Sequence, residues 1–327
     1  MRKAARVLAR AVATLVALVA AIWAFAPLEP AGRGAAATAS LTADPAILAA
    51  REAAMGDVVP GAEARVVWAG APGEATRWAV LYLHGFSASS EEIRPVPDRL
   101  AEALGANLVF NRLPGHGRGA AAMGEATATE WIDDTDLMLD IARGVGERVL
   151  VVATSTGGTL AAFAATEPDM AADVAGFVFV SPNFAVASRG GRILEWPLAR
   201  LWTRLVLGGE RGFEPLNERQ ARYWTERYPT TALVRMGALL REVRSRDLSV
   251  ATAPALFIFS DGDRVVSAAA TRRAAGRWGG DVTLAPLELP GSGVDPSRHV
   301  IAGDIVSPAM TVPVTGLVLD WVGGLQD

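Results

Sequence analysis

The 327-residue chain is 51% hydrophobic and 20% charged, which excludes a disordered chain and leaves enough residues for a full core. Its formal net charge of -4 gives no basic footprint, so nucleic acid is not an expected partner. Cysteine is absent and Lys3 is the only lysine, which excludes disulfides, thiolate nucleophiles and zinc-thiolate sites, and removes a Ser-Lys dyad, a Schiff base or a P-loop from the folded domain.

Arg2, Lys3, Arg6 and Arg10 precede a run from Ala11 to Ala26 that is apolar apart from Thr14. A basic flank before such a run fits a secretory signal peptide or a short membrane anchor over residues 1–26. Either exports the rest of the chain, to be secreted or held at the periplasmic or extracytoplasmic face. Ala24-Phe25-Ala26 has the form of a cleavage site, but Pro27 follows it, so a retained anchor is favoured, with Trp23 at the interface. Residues 27–60 read as a linker, Pro27 to Ala39, and a small helix, Leu41 to Met55, with Asp44 at its start and Pro45 in its first turn.

Strand and helix patterns then alternate. Trp78 to Leu83 is a buried-type strand running into His84-Gly85-Phe86-Ser87, and Ile93 to Leu104 has helical spacing. Asn107 to Phe110 is a short strand leading to Arg112-Leu113-Pro114-Gly115-His116-Gly117, and Glu130 to Ala142 is a helix. Val149 to Thr154 forms a strand that breaks at Ser155-Thr156-Gly157-Gly158 before a helix through Ala165, which puts a lone serine on a strand-to-helix turn. Val174 to Val180 is the next strand.

Alternation stops between Asn183 and Thr252, a mostly helical stretch rich in aromatics and arginines that reads as a cap inserted into the core. It resumes with Ala255 to Phe259, then Ser260-Asp261-Gly262-Asp263, a helix from Ser267 to Trp278, a strand from Val282 to Leu289, a loop holding His299, and a helix from Val312 to Val322. The predicted fold class is α/β, a mostly parallel doubly wound sheet. Its core spans residues 61–183 and 253–327, with a helical cap insertion at 184–252.

The order Ser155, acid, His299, each after a strand, suits nucleophilic catalysis. A hydroxyl is a weak nucleophile until a base takes its proton, and a carboxylate orients that base. The three histidines form no local metal motif, and Gly115, Gly117 and Gly119 do not complete a dinucleotide fingerprint, so no metal or other cofactor is expected.

Four motifs occur in order: Leu83-His84-Gly85-Phe86-Ser87, Leu113-Pro114-Gly115-His116-Gly117, Thr154-Ser155-Thr156-Gly157-Gly158 and Ser260-Asp261-Gly262-Asp263-Arg264-Val265-Val266. With His299 they make the chain resemble the α/β-hydrolase superfamily, in particular its serine esterases, monoacylglycerol lipases and lysophospholipases. The resemblance implies Ser155, Asp263 and His299 as a catalytic triad and the backbone amides of Phe86 and Thr156 as an oxyanion hole. Asp263 is preferred to Asp261, which stands closer to the end of its strand, and His84 and His116 are given structural roles. The implied function is cleavage of carboxylic esters, acylglycerol or lysophospholipid-like, through an acyl-enzyme on Ser155. The sequence departs from the family at Ala153, where the elbow's first glycine is usual. A non-catalytic binding protein at the membrane, a thioesterase or a C-C bond hydrolase are the alternatives. Within the cap, the apolar stripe of Trp196, Leu198, Leu201, Trp202, Leu205, Val206 and Leu207 reads as packing of the cap on the core, or as an acyl-chain lining in which Trp196 and Trp202 bind substrate.

Overall fold

A computed structural model of the chain describes residues 2–34 and 44–325. Helix α1 (Arg2–Phe25) is exposed along its length, with only Ile22 in its last turn half-buried. Helix α2 (Pro45–Met55) begins where the Asp44 side chain accepts from Ala46 N, with Pro45 in the first turn, and ends at Gly56. Strands β1 (Arg65–Val67) and β2 (Thr76–Leu83) open the sheet. Helix α3 (Val96–Leu104) and strand β3 (Asn107–Phe110) follow, then α4 (Ala120–Glu125), α5 (Ala128–Val145), β4 (Gly146–Thr154), α6 (Thr156–Ala165) and β5 (Val174–Val180). The excursion after β5 contains α7 (Ala199–Leu207), β6 (Glu210–Gly212), α8 (Glu218–Tyr223), β7 (Arg227–Pro229) and α9 (Thr230–Ser245). The chain then returns through β8 (Ala255–Phe259), α10 (Ala268–Ala275), β9 (Val282–Pro286) and α11 (Pro308–Gly323).

Seven strands form one sheet in the order β1-β3-β2-β4-β5-β8-β9, parallel throughout except that β1 runs antiparallel to β3. Successive side chains point to opposite faces and both faces are covered, which is why the central strands read as unbroken apolar runs. Leu81, Val151, Phe179 and Phe257 share one core with Trp131 of α5 and Leu160 of α6. Val80, Leu150, Val178 and Ile258 share the other with Leu100 of α3 and Val318 of α11. Each such side chain contributes about 1.5–3 kcal/mol on burial, which anchors the central strands from both faces.

Where the structure departs from the pattern reading, local chemistry explains it. Pro95 and Pro97 delay the helix expected from Ile93 until Val96. Pro286 ends the strand expected to reach Leu289, and Pro308 starts the last helix a turn before Val312. The excursion is not wholly helical, because β6 and β7 pair as a two-stranded antiparallel ribbon. These strands are three residues each and largely exposed, so they carry no apolar alternation to detect. Nor is the excursion a separate body: Met236, Leu239 and Val243 of α9 belong to the core that contains α6.

The described part of the expected linker is seated on the domain. Leu198 N donates to Pro27 O at 3.3 Å, Arg200 grips the Glu29 carboxylate at 2.7 and 2.8 Å, and Gly34 N donates to Asp133 at 2.8 Å. Residues 35–43, which hold the rest of that linker and the first turn expected from Leu41, lie outside the described residues.

Candidate active site

Strand β4 ends at Thr154, and Ser155 turns the chain into α6 with φ 50° and ψ -113°, a conformation that side chains seldom adopt. The turn is held on both sides. Ser155 N donates to Val180 O at 3.1 Å, and Ser155 O accepts from Asn183 N at 2.9 Å and Thr159 N at 3.2 Å. A Cβ at Gly157 would lie 2.1 Å from Leu83 O, and one at Gly158 would lie 2.8 Å from Pro182 Cβ, so both glycines are sterically required. Ala153 sits between Leu83 and Phe179 in the register of β4, fully buried, and its methyl is part of the core. The alanine is therefore absorbed by packing while the elbow two residues later keeps its shape.

The three residues expected as a triad come together. Ser155 Oγ lies 2.9 Å from His299 Nε2, and His299 Nδ1 lies 2.8 Å from Asp263 Oδ2. The other Asp263 oxygen accepts from the amides of Val265 at 2.7 Å and Val266 at 2.9 Å, which fixes the carboxylate's plane. Asp261 points away, exposed, and pairs with Arg272 at 2.7 Å. Burial lowers the basicity of His299, but the hydrogen bond and charge of Asp263, with Glu92 and Asp295 adding, outweigh it and raise its pKa above the usual 6.5.

Phe86 and Thr156, whose amides are expected to form the oxyanion hole, both lie beside Ser155. The loop after β2 abuts the elbow, with a Cβ at Gly85 falling 3.1 Å from Ser155 Cβ. Phe86 lines the cavity that contains Ser155, and Thr156 opens α6. Among the described residues neither Phe86 N nor Thr156 N donates to a protein acceptor. Phe86 is wedged edge-on against His116, Trp131 and Tyr228. His84 Nε2 accepts from Leu113 N at 3.1 Å, so its proton is on Nδ1, which donates to Gly85 O at 2.9 Å. This neutral ring ties the two glycine-rich loops together. Burial, His116 and Arg112 hold the His84 pKa well below its ordinary value, and burial first and Arg112 next push His116 down to about 4.

Two acids escaped the pattern reading. Glu92 is fully buried beneath the first loop, where its carboxylate accepts from Gly85 N at 2.7 Å and Tyr82 Oη at 3.0 Å, and Tyr82 Oη in turn accepts from Thr154 Oγ1 at 3.2 Å. Burial pushes its pKa up to about 7 against the opposing pull of Gly85 N–H, His299 and Tyr82. Asp295 holds the His299 loop by accepting from the amides of Ser297 at 2.8 Å, His299 at 3.1 Å and Val300 at 3.0 Å. Asp295-Pro296-Ser297 is a turn-forming triplet and could have been noticed. Glu92 had no such signal, since its role depends on β2 and the elbow closing over it.

A cavity of about 550 Å³ opens over Ser155 and His299. Its floor is Phe86, Ser155, His299 and Glu92, and the excursion after β5 supplies Val186, Phe213, Leu216, Trp224, Tyr228, Leu233 and Met236. Trp196 and Trp202, expected to bind substrate, do not line it. Trp196 is exposed and meets Trp23 edge-on at 5.3 Å, and Trp202 donates Nε1 to Pro197 O at 3.0 Å, because α7 lies on the outer side of α9. Trp224 and Tyr228 take the places expected of them. Among the described residues no group of three His, Asp or Glu is arranged to hold a metal ion.

A sequence profile described as "Alpha/beta hydrolase family" matches residues 80–303. No curated protein matches the chain. Among solved structures the chain is similar to one described with LipS and LipT, two metagenome-derived lipolytic enzymes, at 22% identity and TM-score 0.63 over 82% of this chain and 99% of that one. It is similar to the Paleococcus ferrophilus monoacylglycerol lipase at 16% identity and TM-score 0.59, over 80% and 99% of the two chains. It is also similar to a soluble variant of the Saccharomyces cerevisiae monoglyceride lipase at 12% identity and TM-score 0.56, over 80% and 91%. At these identities the likeness is one of fold.

Proposed function

The chain belongs to the α/β-hydrolase family, and from that premise we propose that it is a serine hydrolase cleaving carboxylic esters through an acyl-enzyme on Ser155. The observation that carries this reading is the continuous chain of contacts from Asp263 through His299 to Ser155, at 2.8 and 2.9 Å. As Ser155 Oγ attacks the ester carbonyl, His299 Nε2 takes its proton, and Asp263 stabilises the imidazolium. The carbonyl oxygen becomes an oxyanion facing the amides of Phe86 and Thr156. Dipoles already aimed at that point need not reorganise. Collapse expels the alcohol, which leaves with the proton from His299. Water then enters, gives its proton to His299, and releases the acid by the same route in reverse.

The apolar walls of the cavity favour an ester with a hydrocarbon acyl chain, acylglycerol or lysophospholipid-like. We assign residues 61–183 and 253–327 to the catalytic core and 184–252 to a cap, with no cofactor in the reaction. We read α1 as a retained anchor that places the domain on the extracytoplasmic face, supported by a mean hydropathy of 2.2 over its apolar window and its exposure on every side.

The test is hydrolysis of a panel holding p-nitrophenyl esters of rising acyl length, a monoacylglycerol, a lysophospholipid and an acyl thioester. The expected result is turnover of the oxygen esters that vanishes in a folded Ser155→Ala. A folded wild type that turns over none of them overturns the reading, and preference for the thioester redirects it.

A further inference from the structure

Helix α7 exposes more large apolar surface than a protein surface needs. Its inner side carries the buried Ala199 and Thr203 with the half-buried Trp202 and Leu207, whereas Leu201 and Leu205 lie on the opposite face at 50% and 69% exposure and Val206, in its last turn, is 64% exposed. A helix lying on a domain in water directs its large apolar side chains inward. Single exposed leucines are ordinary, but three on one short helix beside the exposed Trp196 form a patch that calls for a partner.

The chain entering the domain shows what that partner is. Helix α1 leaves the domain at this patch, its Trp23 ring meeting Trp196 at 5.3 Å. Two residues after α1 ends, Pro27 O accepts from Leu198 N, directly ahead of α7. Glu29 is then gripped by the Arg200 fork, and Arg241 donates to Glu29 O. There is no slack between α1 and α7. A helix of 24 residues is about 36 Å long, against a hydrocarbon core of about 30 Å, so a spanning α1 brings its last turn and Trp23 to the interface. We propose that the outward face of α7 docks on the lipid surface beside the point where α1 enters it, with Leu201, Leu205 and Val206 inserted among the acyl chains. Exposed Arg204 on the same helix then meets anionic headgroups. The segment that follows α7 supplies Phe213 and Leu216 to the cavity, so the docked helix holds the substrate-facing wall at the membrane.

The proposal rests on the anchor reading of α1, and one experiment separates the two. Because the chain lacks cysteine, single cysteines at Leu205, at Val16 in α1 and at the exposed Val312 of α11 can each carry an environment-sensitive fluorophore. The full-length protein is reconstituted into vesicles of phosphatidylcholine and phosphatidylglycerol containing nitroxide-labelled lipid. The expected result is loss of most emission at positions 205 and 16, and none at 312. Emission at 205 that persists as at 312, with quenching at 16, overturns the docking and leaves the anchor standing. Persistence at both 205 and 16 overturns both. Quenching at 205 without quenching at 16 removes the anchor and with it overturns the proposal in the form stated, since α7 would then reach lipid without a spanning α1 beside it. A blue shift at 205 with no lipid quenching means a protein partner and overturns the proposal.

Discussion

The two walls of the cavity are built on different terms. On the core side the groups of the proposed site are held by directed polar contacts: Asp263 by two amides, the His299 loop by Asp295, and the Gly85 amide by Glu92. On the side of the excursion after β5 the residues facing the cavity are mostly apolar and held by packing, and polar ties such as Thr225 N to Ser87 O at 2.7 Å and Asn217 Nδ2 to Ile305 O at 2.8 Å fasten the segment to the core without reaching the triad residues. Directed bonds fix atoms to fractions of an ångström, as proton transfer requires. Packing fixes only shape and volume, which suffices to admit an acyl chain. Substitutions on the core wall should therefore change the chemistry, and those on the cap wall should change selection.

The largest expected effect is Asp263→Asn, which leaves His299 in the wrong tautomer and should lower kcat about 10⁴-fold. His299 must be neutral to act as base, so wild-type activity falls as pH drops through its raised pKa. Losing the Asp263 charge moves the residual acid limb to lower pH, which a kcat/KM profile against pH will read. A variant that retains activity would place the orienting acid elsewhere and break the contrast between the walls.

Next is Glu92→Gln. Folding raises the Glu92 pKa from 4.5 to about 7, so the native state binds a proton that the unfolded chain has released. Its contribution is fully present below pH 4.5 and is lost as pH rises through about 7. The variant should therefore gain stability relative to wild type between pH 5 and pH 8, on the order of 3 kcal/mol, measured by urea unfolding at each pH. A constant difference across that window would mean that Glu92 is ionised throughout.

Trp224→Ala sharpens the contrast from the other wall. It should cost about ten- to a hundredfold in kcat/KM for long acyl esters and leave p-nitrophenyl acetate nearly unchanged, whereas Trp202→Ala should leave both unchanged. The smallest effect is Ala153→Gly. Glycine loses more entropy inside a strand and fills less of the core, so thermal unfolding should show a cost of about 0.5–1 kcal/mol with kcat unaltered.

The same division governs what could be read from the sequence. The elbow is legible because its turn chemistry is local, and the loop at His84 to Ser87, Asp263 and His299 are legible because their short motifs resemble those of the family. Glu92 was not, because burial by distant segments makes a surface-type residue into a buried acid. The cap was least legible. Trp196, Trp202 and Trp224 are indistinguishable by composition, and only the outward placement of α7 and the inward placement of Trp224 assign them. The described part of the linker was misread for the same reason, since Glu29 and Arg33 dock through partners far along the chain.

The most direct measurement of the central claim is peptide mapping of the intact protein after exposure to a fluorophosphonate, with wild type, Ser155→Ala and His299→Ala compared. The account predicts a stoichiometric adduct on Ser155 in wild type, none in Ser155→Ala and a much slower adduct in His299→Ala. A folded wild type that stays unmodified, or an adduct on any other serine, would contradict it.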